Sequence, residues 1–241
     1  SYRGKKLAVD EIPRLCHGIE HVSCAAFYAP VLVNFYRRQG DKAALDLTLD
    51  DIKLIQIALL FHDAGRINDD KDDTDRDSGL LLYYYLLELG VAKEIAKLLA
   101  EAVANKDVVD NIYKELGKLY GVLVWVDTTK TSKNSYQKII HDADCLEVIR
   151  ARDKFEAKYL DFFQDFVMRD GKIVNQSAFD ELAELIAEVR HVIHIRGDSR
   201  LNLNMTLKRS YQNDQSYLQL CSNVNADDHP ILTALGKNNV L

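Results

Sequence analysis

Between positions 19 and 36 apolar residues recur at steps of three and four, so one side of a long helix has to be buried, and the same rhythm runs through most of the chain. Thr48 followed by Asp51 has the form of a capping box and predicts a helix start ahead of Ile52, Ile55 and Leu59, with an end near Gly65. Ser78 is the expected cap of a helix over 79–89, and Gly90 suits a left-handed position at its C-terminus. Helical patterns continue over 91–105, 108–120, 136–153, 154–168 and 178–195, with a turn at Asp170 and Gly171. Pro30 is expected to kink the first helix. The one stretch that reads as a strand, 121–126, has no second strand to pair with, and we take it as buried helix or extended connector. The expected fold is an all-α multi-helix bundle.

A chain of 241 residues, 47% of them apolar, can bury a large core, and no Pro, Gly or Ser-rich linker divides it. One domain over 1–241 is expected. A net charge of -6 gives no reason to expect nucleic acid or an anionic membrane as partner. The longest apolar segments, 54–61 and 80–87, are far shorter than the roughly 20 residues of a membrane span, which predicts a soluble domain. Cys16, Cys24, Cys145 and Cys221 show no CxxC spacing, and a chain of this size has no need of disulfides, so a reducing compartment is expected. The first residue is Ser1 and no signal-peptide pattern follows, which predicts a piece excised from a longer protein.

Chemistry can reside in four clusters: His17, Glu20 and His21; His62, Asp63 and Arg66; the acidic run 69–77; and His141, Asp142 and Asp144. His17 and His21 are four apart, so on a helix they stack on one face. His62 and Asp63 close an apolar helix, where both are costly to bury unless they bond each other, a metal or a substrate. The HxxEH spacing of His17, Glu20 and His21 also fits inverse zinc peptidases, but that reading leaves the other two histidine clusters unused. Asp73, Asp75 and Asp77 imitate a calcium loop, yet Ser78 stands where its glycine belongs and Tyr84 where its bidentate Glu belongs. The run is therefore read as a solvated loop. His191, His194 and His229 carry no pattern.

The segments HGIEHV at 17–22, FHDAGR at 61–66 and HDADCLEVIRARD at 141–153 resemble the HD superfamily of phosphohydrolases and phosphodiesterases. They are most similar to the phosphodiesterase (PDE) domain of the SidE family of secreted bacterial effectors and its phosphoribosyl-ubiquitin deubiquitinase relatives. The resemblance implies an HD/PDE-like bundle that acts, without a metal or other cofactor, on ubiquitin carrying ADP-ribose or phosphoribose, with substrate proteins engaged through serine. It also implies an effector that works in the host cytosol. By motif match His17 is the nucleophile, forming a transient phosphoramidate, and His141 the general acid. His21, His62, Asp63, Asp142 and Asp144 support the site, and Arg66 and Arg150 balance phosphoryl charge.

Imidazole suits both catalytic parts, because it is nucleophilic at neutral pH and can also donate a proton there. Ile67 departs from the family pattern, which has at that position a glutamate that orients the nucleophile. Glu20, Asp63 or Asp69 then takes that part, or the enzyme is a weakened one. Two alternatives stand beside this reading. One is a metal-dependent HD phosphohydrolase of a nucleotide, with His21, His62, Asp63 and Asp142 holding Mn, Fe or Mg. The other is a domain that only binds ubiquitin or a nucleotide.

Overall fold

The computed structural model describes residues 17–66, 74–107, 112–129 and 134–151, with shorter stretches at 6–7, 10–11, 168–169, 172–182 and 185. The predicted helix over 154–168 lies almost wholly outside these residues, as does the end of the one over 178–195. The chain divides into two units, Ser1–Asp144 and Cys145–Leu241. The fold is mostly helical, as expected. Among the described residues no helix is long and apolar enough to cross a membrane.

In the first unit a short antiparallel pair, β1 (Lys6–Leu7) and β2 (Asp10–Glu11), precedes α1 (Ile19–Arg38). Then come α2 (Lys42–Asp46), α3 (Leu49–Phe61), α4 (Asp75–Glu88) and α5 (Lys93–Ala104). α1 packs on α2 and α3, α3 touches α4 and α5, and α4 lies along α5. The contacts bury the apolar stripe that the periodicity marked, including Leu32, Phe35, Tyr36, Ile55, Leu59, Leu82 and Leu99.

α1 continues through Pro30. A proline has no N–H, so the carbonyl four residues back, at Ala26, loses its helical donor. The side chain of Gln56 on α3 replaces it, with Nε2 donating to Ala26 O at 3.1 Å. That accounts for a glutamine in an otherwise apolar helix. The capping box is present as expected: Thr48 Oγ1 accepts from Asp51 N at 3.1 Å, and Asp51 Oδ2 accepts from Thr48 N at 2.8 Å.

Ser78 does not cap α4. The helix starts four residues earlier with Thr74 as its N-cap, and Ser78 is buried inside the first turns, where its Oγ accepts from Gly65 N at 2.9 Å. This bond ties the end of α3 to the start of α4. A Cβ on Gly65 would stand 2.8 Å from Thr74 O and Ser78 N, so only glycine allows the approach. Gly90 is left-handed at φ +78°, as the sequence implied.

A larger difference lies beyond α5. Of the expected helix over 108–120, positions 108–111 lie outside the described residues, and the rest forms, with the segment 121–126 expected as helix or connector, a hairpin of β3 (Tyr113–Leu119) and β4 (Val122–Thr128). Leu119 pairs with Val122, leaving a two-residue turn at Tyr120 and Gly121, with φ +50° and +80°. Positive φ at both turn positions is the type I′ geometry that matches strand twist. Tyr at the first position hid the signal, since Asn or Asp is usual there. Side chains of α5 complete the edge of β3: Glu101 Oε1 accepts from Leu116 N at 3.0 Å, and Asn105 brackets Lys114 through its N–H at 2.6 Å and its carbonyl at 2.8 Å.

α6 (Ser135–Ala151) follows, with Asn134 Oδ1 accepting from Gln137 N at 2.8 Å at its start. The Tyr136 hydroxyl donates to Asp51 Oδ1 at 2.7 Å, and burial with this carboxylate pushes its pKa up to about 12. In the second unit, β5 (Met168–Arg169) pairs with β6 (Lys172–Ile173), and Asn175 Oδ1 accepts from Ala178 N at 3.0 Å where residues 176–182 turn helical.

Gly79 faces α5, where an added Cβ would lie 2.6 Å from Ala100 O and 3.2 Å from the Trp125 ring. In an open helix Gly→Ala gains about 1 kcal/mol. Here the sign should reverse, and Gly79→Ala should cost about 1–3 kcal/mol in chemical denaturation because the helices are forced apart.

Candidate active site

Two turns, the start of α1 and the faces of α1 and α6 bring the polar residues together. His62 is the C-cap of α3, and Asp63 follows in a turn where Arg66 N bonds Asp63 O at 3.1 Å. His17 lies just ahead of α1, because the extended Gly18 caps that helix, and is not on it as the four-residue spacing suggested. Its ring still meets His21 edge-on, with centroids 5.6 Å apart. Lys106 and Asp107 lie in the turn that leaves α5, whose end is held when Gln137 Nε2 on α6 donates to Asn105 O. α6 presents His141, Asp142 and Asp144.

The centre is a cluster of four groups. His21 Nε2 is 3.1 Å from His62 Nε2, 3.1 Å from Asp144 Oδ1 and 3.4 Å from Asp63 Oδ2. His62 Nε2 is 3.4 Å from Asp63 Oδ2 and 3.5 Å from Asp144 Oδ1. On its other side His62 Nδ1 donates to Leu59 O at 2.6 Å, which aims Nε2 at the cluster. His21, His62 and Asp63 are buried.

Lys106, only 5% exposed, extends the cluster as its buried cation. Its Nζ is 2.9 Å from Asp144 Oδ2, 2.7 Å from Asp107 Oδ2 and 4.0 Å from Asp75 Oδ1. Asp107 in turn meets His141, with Oδ1 2.9 Å from Nδ1. A continuous path of contacts therefore runs from His17 through His21, Asp144, Lys106 and Asp107 to His141.

The charges support one another. Burial works against a charged His62, but Asp63 and Asp144 outweigh it and raise the imidazole to about 9. Burial likewise opposes ionised Asp144, yet Lys106 and His62 hold it well below the usual carboxylate range. Asp63 is lowered against its burial mainly by His62, and Asp107 far more so by Lys106 and His141. Asp75 is the exception, since burial raises it and Lys106 only partly offsets that. Asp75 thus belongs to the site's edge and is not part of a solvated loop. Positions 69–73 lie outside the described residues.

Of the other expected site residues, Arg66 is 3.8 Å from Asp63 Oδ1 through Nη1. Asp142 turns away from the cluster and accepts from the Tyr36 hydroxyl, while Lys138 Nζ lies 3.8 Å over the Tyr36 ring. Glu20 is exposed on α1. The Arg150 side chain, Ile67 and Asp69 lie outside the described residues. Sequence reasoning missed Lys106, Asp107 and Tyr36. A Lys-Asp pair after a helix has no pattern of its own, and a tyrosine in an apolar stripe reads as core.

His21, His62 and Asp63 offer ligand atoms within 4.8 Å of one another, and Asp144 adds a fourth oxygen to the same Nε2 atoms. Two imidazoles and one carboxylate at mutual ligand distance, His21, His62 and Asp63, suit a divalent first-row ion, while the other oxygen of Asp144 is paired with Lys106. The Nδ1–H bond of His62 to Leu59 O makes Nε2 the ring atom that faces the cluster.

Compared with known proteins, residues 1–203 match the family model of the SidE phosphodiesterase (PDE) domain. No curated protein matches the chain.

Removing one member of a buried ionic network leaves the rest uncompensated. Lys106→Met should therefore cost about 3–5 kcal/mol in urea or guanidinium unfolding. Combined with Asp144→Asn, it should cost clearly less than the sum of the two single changes, as expected for coupled neighbours.

Proposed function

The chain belongs to the SidE phosphodiesterase (PDE) domain family, and from that premise we propose that it cleaves a phosphodiester or pyrophosphate link in ADP-ribosylated or phosphoribosyl-linked ubiquitin, with His17 as nucleophile and His141 as general acid. The observation that carries this reading is the unbroken run of contacts from the ring of His17 to the ring of His141 through Asp144, Lys106 and Asp107.

In the proposed reaction an imidazole nitrogen of His17 attacks the phosphorus that bears the ribose and ubiquitin. A P–N bond forms and the P–O bond to AMP breaks, and His141 gives its proton to the departing oxygen. The phosphoramidate is then opened by a serine hydroxyl of a substrate protein, or by water, which restores His17. The reverse use of the same residues removes phosphoribosyl-ubiquitin from serine. Arg66 supplies positive charge near the transferring group, and Arg150 is proposed to do the same. Glu20 is exposed, whereas Asp63 is buried beside His21; of these two described candidates for the part of the missing glutamate, Asp63 is within the cluster, and Asp69 lies outside the described residues.

A second reading has its own support in the four-donor cluster. His21, His62, Asp63 and Asp144 would hold a divalent ion such as Mn, Fe or Mg, which polarises a phosphate oxygen or lowers the pKa of water when bound. For the second carboxylate, the sequence suggested Asp142, one of whose oxygens accepts from Tyr36, and we propose Asp144, whose Oδ1 lies 3.1 Å from His21 Nε2.

The test is AMP release from ADP-ribosylated ubiquitin, followed chromatographically, together with loss of ubiquitin from phosphoribosyl-serine. His17→Ala should abolish turnover, and His141→Ala should lower it by about 10²–10⁴-fold. Full activity in either variant rejects the assigned roles. Elemental analysis of the purified protein separates the two readings. Activity that survives chelation supports the histidine nucleophile, whereas about one bound metal per chain and loss of activity in chelator support the metal reading.

A further inference from the structure

Proton donation at a stated atom needs an imidazole held in one orientation, and a carboxylate that stands beside the His141 ring comes from neither histidine motif. It is Asp107, in the turn after α5, whose Oδ1 lies 2.9 Å from His141 Nδ1. The second oxygen of the same carboxylate is 2.7 Å from Lys106 Nζ. Lys106 is buried and also grips Asp144 at 2.9 Å, so Asp107 is anchored on its far side to a rigid part of the unit. The His141 side chain is 12% exposed while that of Asp107 is half exposed, which places the pair at the mouth of the buried cluster.

We propose that Asp107 is the positioning residue of His141: by accepting the Nδ1–H it fixes the tautomer and ring orientation that leave Nε2 as the proton-donating atom. This rests on the reading of His141 as general acid. When Nε2 gives its proton to the leaving oxygen, His141 passes from imidazolium to neutral imidazole and Nδ1 keeps the proton that faces Asp107, with which the ring forms a close charge pair, without an aligned hydrogen bond, in the resting structure. The carboxylate stays ionised throughout, and the leaving group departs as a neutral hydroxyl. A carboxylate in this place both orients the ring and stabilises the imidazolium before transfer. Lys106 acts one step further out, since its bond to Oδ2 holds Oδ1 toward His141.

The test uses Asp107→Asn and Asp107→Ala in the full chain, with ADP-ribosylated ubiquitin as substrate and His141→Ala as reference. Both Asp107 variants should keep the parent's far-UV spectrum at the assay temperature, although loss of a partner of buried Lys106 lowers their melting point. They should lose at least about tenfold in kcat while KM stays within about twofold, because the defect lies in proton transfer and not in binding. Long-range ¹⁵N–¹H spectra should show the neutral His141 ring as the Nδ1–H tautomer in the parent, with that preference lost in Asp107→Ala. Wild-type kcat in both Asp107 variants, with His141→Ala inactive, would overturn the positioning role and leave the general acid in place. Full activity of His141→Ala would instead reject the general acid. In that case the spectra decide alone, and an unchanged His141 tautomer in Asp107→Ala overturns the inference.

Discussion

A buried ammonium has to be met by carboxylates, and at Lys106 this requirement joins three parts of the chain. The partners come from the first turn of α4 (Asp75), from the turn after α5 (Asp107) and from α6 (Asp144). None of these is close to the others in sequence, so the ion cluster can close only when α4, α5 and α6 have taken their places. The desolvation cost of such a network is several kcal/mol per charge, and good geometry only roughly offsets it. A hydrophobic substitute of the same shape would hold the helices as well. What the ionic version provides is a fixed place for Asp144 beside two histidines and for Asp107 beside a third.

The functional groups sit at the ends of helices because an end is where the chain turns sharply and where backbone groups await partners. The close of α3 shows how this is used. Leu59 O accepts from His62, Gly65 presses onto α4 with its N–H bonded to Ser78, and Asp63 is held in the turn between them. At the close of α5, Asn105 donates to Glu101 O at 2.7 Å and also brackets β3, while its own carbonyl accepts from Gln137. That side chain fixes the residue immediately before Lys106. The hairpin, which takes no direct part in the chemistry described, thus steadies the turn from which two site residues project.

The helical part of this fold was legible because burial of one face leaves a periodic trace, as in α1, α3 and α5. The capping box of α3 was equally plain. The hairpin was not, since Tyr120 in a left-handed turn position and the scattered polar residues of β3 resemble neither a usual turn nor an alternating strand. At the site, the histidines and Asp63 were readable because each lies in a motif in which an imidazole and a carboxylate are adjacent or one turn apart. Lys106, Asp107 and Asp75 were not, because their significance is entirely one of distance across the fold. Asp142 and Asp144 differ by two positions on one helix, about 200° apart in direction at 3.6 residues per turn, so only one of them can face the cluster. Choosing between them needed the coordinates, which set Asp142 against Tyr36.

The two readings of the cluster make opposite demands on His62. Its Nδ1–H is committed to Leu59 O, so the state of Nε2 decides the charge of the ring. Asp63, Asp144 and His21 surround Nε2, and the two carboxylates raise the imidazole to about 9, so that a charged His62 matches one carboxylate while Lys106 matches the other. A divalent ion would have to displace that proton and take both carboxylates, leaving Lys106 to rely on Asp107 and Asp75. Loading a metal is therefore an exchange of one buried cation for another, not the filling of a bare anionic hole, and it becomes harder as the pH falls and the proton competes more strongly. On the histidine reading there is no such competition at the centre, because the two rings to which we assign the reaction, His17 and His141, lie at the ends of the network.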